Sequence, residues 1–186
     1  VESVIKGDGI EWRLEDLNRS VGQVHETDFI VVAKRPETGG TSFLCSEFTH
    51  MLNQLPEGKS AIIFNNEEGG NKIALRVIQA ALGCTATQLQ TNPSKWATEY
   101  ADFLGDRRIY VYDRPGMSTT DIDAVLEEHE DVYLVGLNVL DKVNGFYKLS
   151  EVERFRKLAE WGRNVAKGNR AVFAIVQADA SAEGIQ

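Results

Sequence analysis

Five runs of residues, each apolar almost throughout, constrain this chain more than any other feature. They are Phe29–Ala33, Ser60–Phe64, Arg108–Tyr112, Val132–Asn138 and Ala171–Gln177. A strand with one face in water alternates apolar and polar residues. A strand that is apolar nearly throughout has to be covered on both faces, as in a parallel sheet between two helical layers. Helix-period stripes fill the intervals. Phe43, Leu44, Phe48, Met51 and Leu52 form one; Ala74, Val77, Ile78 and Ala81 form a second, with Gly83 placed to cap it. Ile122, Val125 and Leu126 form a third. Ser150 and Glu153 have capping-box spacing at the head of a fourth, Val152, Phe155, Ala159 and Val165. Strands alternating with helices predict an α/β fold: a mostly parallel sheet with right-handed crossovers and helices on both faces. Residues 1–26 read as a lead-in, with Trp12, Leu14 and Leu17 packing a short helix on the sheet.

The chain has 186 residues, enough for one domain with a sizeable core. Its net charge of -8 argues against a strongly basic nucleic-acid surface over most of its length. Cys45 and Cys84 lie in apolar, helix-like contexts outside any CxxC pair and read as buried thiols, which favours an intracellular setting. There is no apolar run long enough to cross a bilayer and no signal-peptide pattern. His25, His50 and His129 are scattered and suggest no metal cluster, and Trp12, Trp96 and Trp161 read as packing residues.

In open parallel sheets ligands bind beyond the carboxyl ends of the strands. Here those ends are polar: Lys34 to Ser42 after the first strand, Asn65-Asn66-Glu67-Glu68-Gly69-Gly70 after the second, Asn138 to Lys142 after the fourth, and Gln177 to Ser181 after the fifth. The first of these has the layout of a phosphate-binding loop, in which a strand runs through a Pro/Gly turn into a helix whose first N–H groups face an anion. Such a loop normally carries Lys before Ser or Thr. Here Thr41 is preceded by Gly40. Lys34 invites comparison with loops that carry an extra lysine early, but its register differs from theirs, which argues against it as a substitute. Gly40, at a helix start, is expected to accept a side chain at little cost if its φ is negative.

Three segments together resemble the RecA-fold ATPase domain of DnaB-type replicative helicases, particularly their bacteriophage relatives. Ala33-Lys34-Arg35-Pro36-Glu37-Thr38-Gly39-Gly40-Thr41-Ser42 is similar to the family's Ala-x-Arg-Pro-x-x-Gly-Lys-Thr-Thr. Ile62 to Glu67 is similar to its strand ending in Ser-Leu-Glu, and Phe173 to Ala178 to its strand ending in Ser-Gln. The opening Gly9 to Leu14 and Leu17-Asn18 resembles the segment leading into that domain.

The resemblance implies a RecA-like P-loop NTPase fold over 27–186, stopping short of the family's last strands, DNA-facing loops and arginine finger. It implies that Arg35, Pro36, Thr38, Gly39, Gly40, Thr41 and Ser42 form the nucleotide loop, and that Thr41 and Asn138 hold Mg²⁺. Glu67 would be the general base and Gln177 the sensor of the γ-phosphate. ATP and Mg²⁺ are the implied cofactors. Single-stranded DNA, contacted mostly by elements outside this chain, and a homo-oligomeric ring in the cytoplasm (of a bacterial host, for a phage protein) are the implied partners and setting. Gly40 in place of lysine and Asn138 in place of aspartate depart from the family. A site of this kind relies on positioning and charge. Losing one electrostatic donor typically costs roughly 3–4 kcal/mol, about a hundred- to a thousand-fold in rate. Impaired hydrolysis is therefore expected. An inactive structural or regulatory RecA-fold subunit is an alternative reading. A recombination ATPase is another, although the loop's Arg-Pro and the setting of Glu67 speak against it.

Overall fold

A computed structural model describes residues 9–67 and 69–178. Glu68, residues 179–181 of the segment expected after the fifth strand, and the first eight residues of the lead-in lie outside the described residues. Five parallel strands form one sheet: β1 (Phe29–Lys34), β2 (Ser60–Asn65), β3 (Ile109–Asp113), β4 (Val132–Asn138) and β5 (Ala171–Gln177). Their order is β1-β5-β4-β2-β3, and all four pairings are parallel. Each expected strand is present to within one residue at either end. Every position of β2 and β4 is buried, as their unbroken apolar sequences require, whereas the edge strands β1 and β3 are only half-covered.

Around the sheet lie α1 (Glu15–Ser20), α2 (Gly40–Leu52), α3 (Gly70–Leu82), α4 (Ala86–Thr91), α5 (Pro93–Leu104), α6 (Thr119–Glu128) and α7 (Glu151–Ala166), with a 3₁₀ turn at Leu140–Lys142. Side chains of α2 and α3 build the core on one face; those of α6 and α7 build the core on the other. Leu44, Phe48, Met51 and Leu52 of α2 are fully buried, and Phe48 meets Phe173 of β5 edge-on at 5.2 Å. Gly136 lets α2 lie close on β4, because a Cβ there would stand 3.0 Å from Leu44 Cδ2 and 3.2 Å from Phe48 Cε2. That close approach brings the start of α2 to the carboxyl end of β4. Arg13 ties the lead-in to α2 through its N–H, 2.7 Å from Glu47 Oε2. Burial pushes the Glu47 carboxyl up, and the Arg13 backbone bond and charge offset only part of this. Cys45 and Cys84 are both buried and outside any disulfide, as expected.

Three local expectations are corrected. Leu14 is half exposed and α1 buries no residue fully; of the three expected packing residues, Trp12, on Phe43 and Phe173, and the half-buried Leu17 hold the lead-in to the core. In α3 the inward residues are Ile73 and Val77, while Ala74 faces solvent. In α7 the buried stripe is Leu158, Gly162, Val165 and Ala166, and Val152 and Phe155 are exposed. Gly162 explains the last error. It lies against Phe29, whose ring carbon would stand 2.6 Å from an added Cβ. A glycine has no hydropathy signal, so the stripe running through it is invisible to periodicity. The helix caps are as expected: Gly83 ends α3 in the left-handed conformation (φ 62°), and Ser150 and Glu153 form the capping box of α7.

Candidate functional site

The carboxyl ends of β1, β5, β4 and β2 meet the start of α2. Between β1 and α2 the chain turns through Arg35 to Gly39, with Gly39 left-handed at φ 85° as the residue before the helix. The first intrahelical bond runs from the Phe43 N–H to the Gly39 carbonyl at 2.9 Å. The N–H groups of Gly40, Thr41 and Ser42 precede it and are the helix's free donors, which together with the helix dipole form an anion cradle. A cavity of about 480 Å³ opens over this cradle, lined by Pro36, Glu37 and the Gly39 to Ser42 turn on one side and by Lys34, Glu67, Arg76 and Gln177 on the other.

Glu67 is the centre of the charged half. Lys142 Nζ lies 3.0 Å from its Oε1, Gln177 Nε2 donates to the same oxygen at 2.8 Å, and Lys34 Nζ stands 3.6 Å from Oε2. Burial alone would raise the Glu67 pKa; the hydrogen bond and charge of Lys142 and the charge of Lys34 outweigh it, so the carboxyl is held below the usual glutamate range. Glu67 is therefore an ionised group suited to orienting a water by accepting its hydrogen bond. Gln177 is held in turn by its N–H, 3.4 Å from Asp141 Oδ1.

Behind the cradle runs a buried polar chain. Thr41 and Asn138 are in contact through the Thr41 hydroxyl at 3.3–3.4 Å, Asn138 Nδ2 donates to Asn65 Oδ1 at 3.0 Å, and Asn65 Nδ2 donates to Asp113 Oδ1 at 2.9 Å. The other Asp113 oxygen accepts the Gly70 N–H that opens α3. Asn65 and Asn138 are fully buried. Among the described residues no group of three or more His, Cys, Asp or Glu side chains is arranged to hold a metal ion. The donor set fits Mg²⁺ in one respect: Thr41 lines the cavity, and its hydroxyl's contacts to Asn138 are long, at 3.3–3.4 Å. Asn138 offers a neutral amide where Mg²⁺ favours a carboxylate, so the ion's remaining ligands would be phosphate oxygens and water.

The family model of the DnaB-like helicase C terminal domain matches residues 9–178. The chain belongs to that family. The chain is 26% identical over 170 residues to "Replicative DNA helicase DnaC" of Bacillus subtilis (strain 168), a match that covers 86% of this chain and 37% of that protein. It is 25% identical over 165 residues to "Replicative DNA helicase DnaB" of Geobacillus stearothermophilus, covering 84% of this chain and 36% of the relative. The chain thus spans little more than a third of these curated relatives. Two solved structures share its fold at a TM-score of 0.79 over the whole chain. One is a DnaB-like replicative helicase described with its interactions with primase (17% identity, 47% of that chain covered), and the other is the ATPase domain of G40P (18% identity, 69% covered).

In this DnaB-like domain Pro36, Gly39, Gly40, Thr41, Ser42, Glu67 and Gln177 share one cavity, although they come from three separate stretches of sequence. Arg35 and Thr38 do not line it; the Thr38 hydroxyl closes the turn on the Arg35 carbonyl at 2.7 Å. Asn138 stands behind the cavity wall, in contact with Thr41. The structure adds three cavity or partner groups. Lys142 and Arg76 are absent from any motif, and the only signal for Lys142 was its place in the polar segment after β4. Lys34, set aside on register, places its ammonium beside Glu67. A Cβ on Gly40 would lie 2.6 Å from Lys34 Cδ, so a side chain there requires the Lys34 stem to shift. Register along the chain did not show this placement, because a lysine stem can cross a turn that residue counting treats as distance.

Proposed function

We propose that this chain is the nucleotide-binding motor module of a replicative DNA helicase. In this reading ATP binds in the cradle, and its hydrolysis in a homo-oligomeric ring drives movement on single-stranded DNA. The ring sits in the cytoplasm, that of a bacterial host if the source is a phage. The observation that carries the reading is one cavity that joins free N–H donors at a helix start to an ionised glutamate bonded to a strand-end glutamine.

The N–H groups of Gly40, Thr41 and Ser42 would hold phosphate oxygens, and the helix dipole favours that charge. Glu67 would align the attacking water by accepting its hydrogen bond. Gln177, already bonded to Glu67 Oε1 at 2.8 Å, would report the occupancy of the γ-phosphate position to the end of β5. Mg²⁺, when bound, would neutralise phosphate charge, with Thr41 as its protein ligand and Asn138 acting on it only through Thr41. A strongly ion-paired Glu67 is a weak base, and Asn138 adds no negative charge, so hydrolysis by this chain alone is expected to be slow. The missing loop lysine at Gly40 also favours a second reading, a nucleotide-deficient structural or regulatory subunit.

The two readings separate in a titration of the chain with Mg-ATP by calorimetry, paired with steady-state phosphate release. The motor reading predicts saturable binding, with release little above a buffer blank. Absence of binding at millimolar ATP supports the structural subunit. Fast release without added subunits would refute the expected impairment.

A further inference from the structure

We propose that Lys34 supplies the phosphate-binding cation that Gly40 lacks, and that Gly40 is glycine because the Lys34 stem occupies its side-chain space; the proposal rests on the nucleotide reading above. An ideal Cβ on Gly40 would stand 2.6 Å from Lys34 Cδ, 3.0 Å from Cε and 3.2 Å from Cγ. The stem therefore crosses directly over the first residue of α2, where a loop lysine would begin. Lys34 lines the same cavity as Gly40 and Thr41, and its ammonium stands 3.6 Å from Glu67 Oε2, another lining residue.

The backbone of Lys34 is held in place. It pairs with Gln177 in the parallel ladder, and its carbonyl accepts the Ala178 N–H at 2.8 Å. It lies on the same strand face as Ile30 and Val32, which pack in the core layer that includes α2, so it leaves the strand on the side where the cradle sits. Its side chain is only 10% exposed. An ammonium there is partly desolvated and has three N–H donors to offer a phosphate.

The 3.6 Å ion pair to Glu67 is longer than a tight charge-assisted bond, so a phosphate oxygen can compete for Lys34. Lys142 is what makes that exchange acceptable. It holds the other Glu67 oxygen at 3.0 Å, so Glu67 keeps a counter-ion when Lys34 turns to the nucleotide. The two lysines thus divide the work: Lys142 neutralises the glutamate and Lys34 is the cation that phosphate recruits. The competing explanation, that Lys34 only neutralises Glu67, makes opposite predictions.

Calorimetric titration of the full chain with Mg-ATP tests this, with each variant checked for folding by circular dichroism and thermal melting. Lys34→Met, which keeps most of the stem volume, should weaken binding about ten- to a hundred-fold, the worth of a charged hydrogen bond. Gly40→Ala should weaken binding by displacing the stem while leaving the helix intact, since alanine favours helix over glycine. Lys34→Met with Gly40→Ala should be no weaker than Lys34→Met alone. Lys34→Ala with Gly40→Lys should recover most of the lost affinity, whereas Gly40→Lys alone should not improve on the unaltered chain. Glu67→Gln should bind at least as tightly as the unaltered chain, and Lys34→Met should remain damaging in that background.

Unaltered affinity in Lys34→Met overturns the proposal and leaves nucleotide binding standing, and unaltered affinity in Gly40→Ala overturns its account of Gly40. So does a Lys34→Met loss that vanishes in the Glu67→Gln background. If the unaltered chain itself binds no ATP, the nucleotide reading falls and the proposal falls with it.

Discussion

Restoring the family's carboxylate by Asn138→Asp should destabilise this chain rather than repair it. Asn138 is fully buried and its Nδ2 donates to Asn65 Oδ1 at 3.0 Å. Aspartate at neutral pH has no donor, so it sets an anionic oxygen against that acceptor. Rotating the Asn65 amide does not solve the problem, because its Nδ2 is already given to Asp113 at 2.9 Å. Removing a buried donor costs about 1–3 kcal/mol, and burying a charge without a partner can cost about 3–5 kcal/mol. The two overlap, so a total of roughly 2–5 kcal/mol is expected at pH 7. At about 2–4 °C per kcal/mol for a chain of this size, the melting temperature should fall by roughly 4–20 °C. The pH dependence has a definite sign. Burial raises the folded-state pKa of the introduced aspartate above its unfolded value near 3.9, so the deficit is greatest above the folded pKa. It shrinks as the pH falls, because the protonated carboxyl can donate to Asn65 as the amide does. Urea unfolding of both proteins at pH 7 and at several lower values measures this. Equal stability at pH 7, or a deficit that grows on acidification, would refute the assignment of Asn138 as an amide donor in a closed polar chain.

Two further outcomes are expected. The folded-state pKa of Glu67 is depressed, so its ion pairs contribute stability above the ordinary glutamate range and lose it as the pH falls through the folded value. The melting-temperature gap between the unaltered chain and Glu67→Gln should therefore be open at neutral pH and close below about pH 4; a gap independent of pH would contradict the ion-pair geometry. Gly136→Ala should cost about 1–3 kcal/mol through overpacking against Leu44 and Phe48, read by chemical denaturation; an unchanged midpoint would show that α2 can move away from β4.

By itself the sequence determined the sheet and the location of the site. A strand buried on both faces has to be apolar nearly throughout, so β2, β4 and β5 declared themselves by residue type alone, and with them the parallel order of layers. Asn138 and Gln177 were visible as polar strand ends, Glu67 as part of the polar segment after β2, and the cradle as a glycine turn running into a helix; the roles of the three came from the family resemblance. These are properties of residues close together in the chain. The tertiary structure decided what lies far apart in sequence yet close in space. Lys142 bonds Glu67 across 75 positions, and Asn138 meets Thr41 across 97. The inward face of α7 runs through Gly162, which no hydropathy pattern can mark. The relation of Lys34 to Gly40 was decided in the same way. Residue spacing measures distance along the backbone, whereas a lysine stem is long and flexible enough to cross the turn. Only the folded volumes show that it fills the space a side chain at position 40 would need.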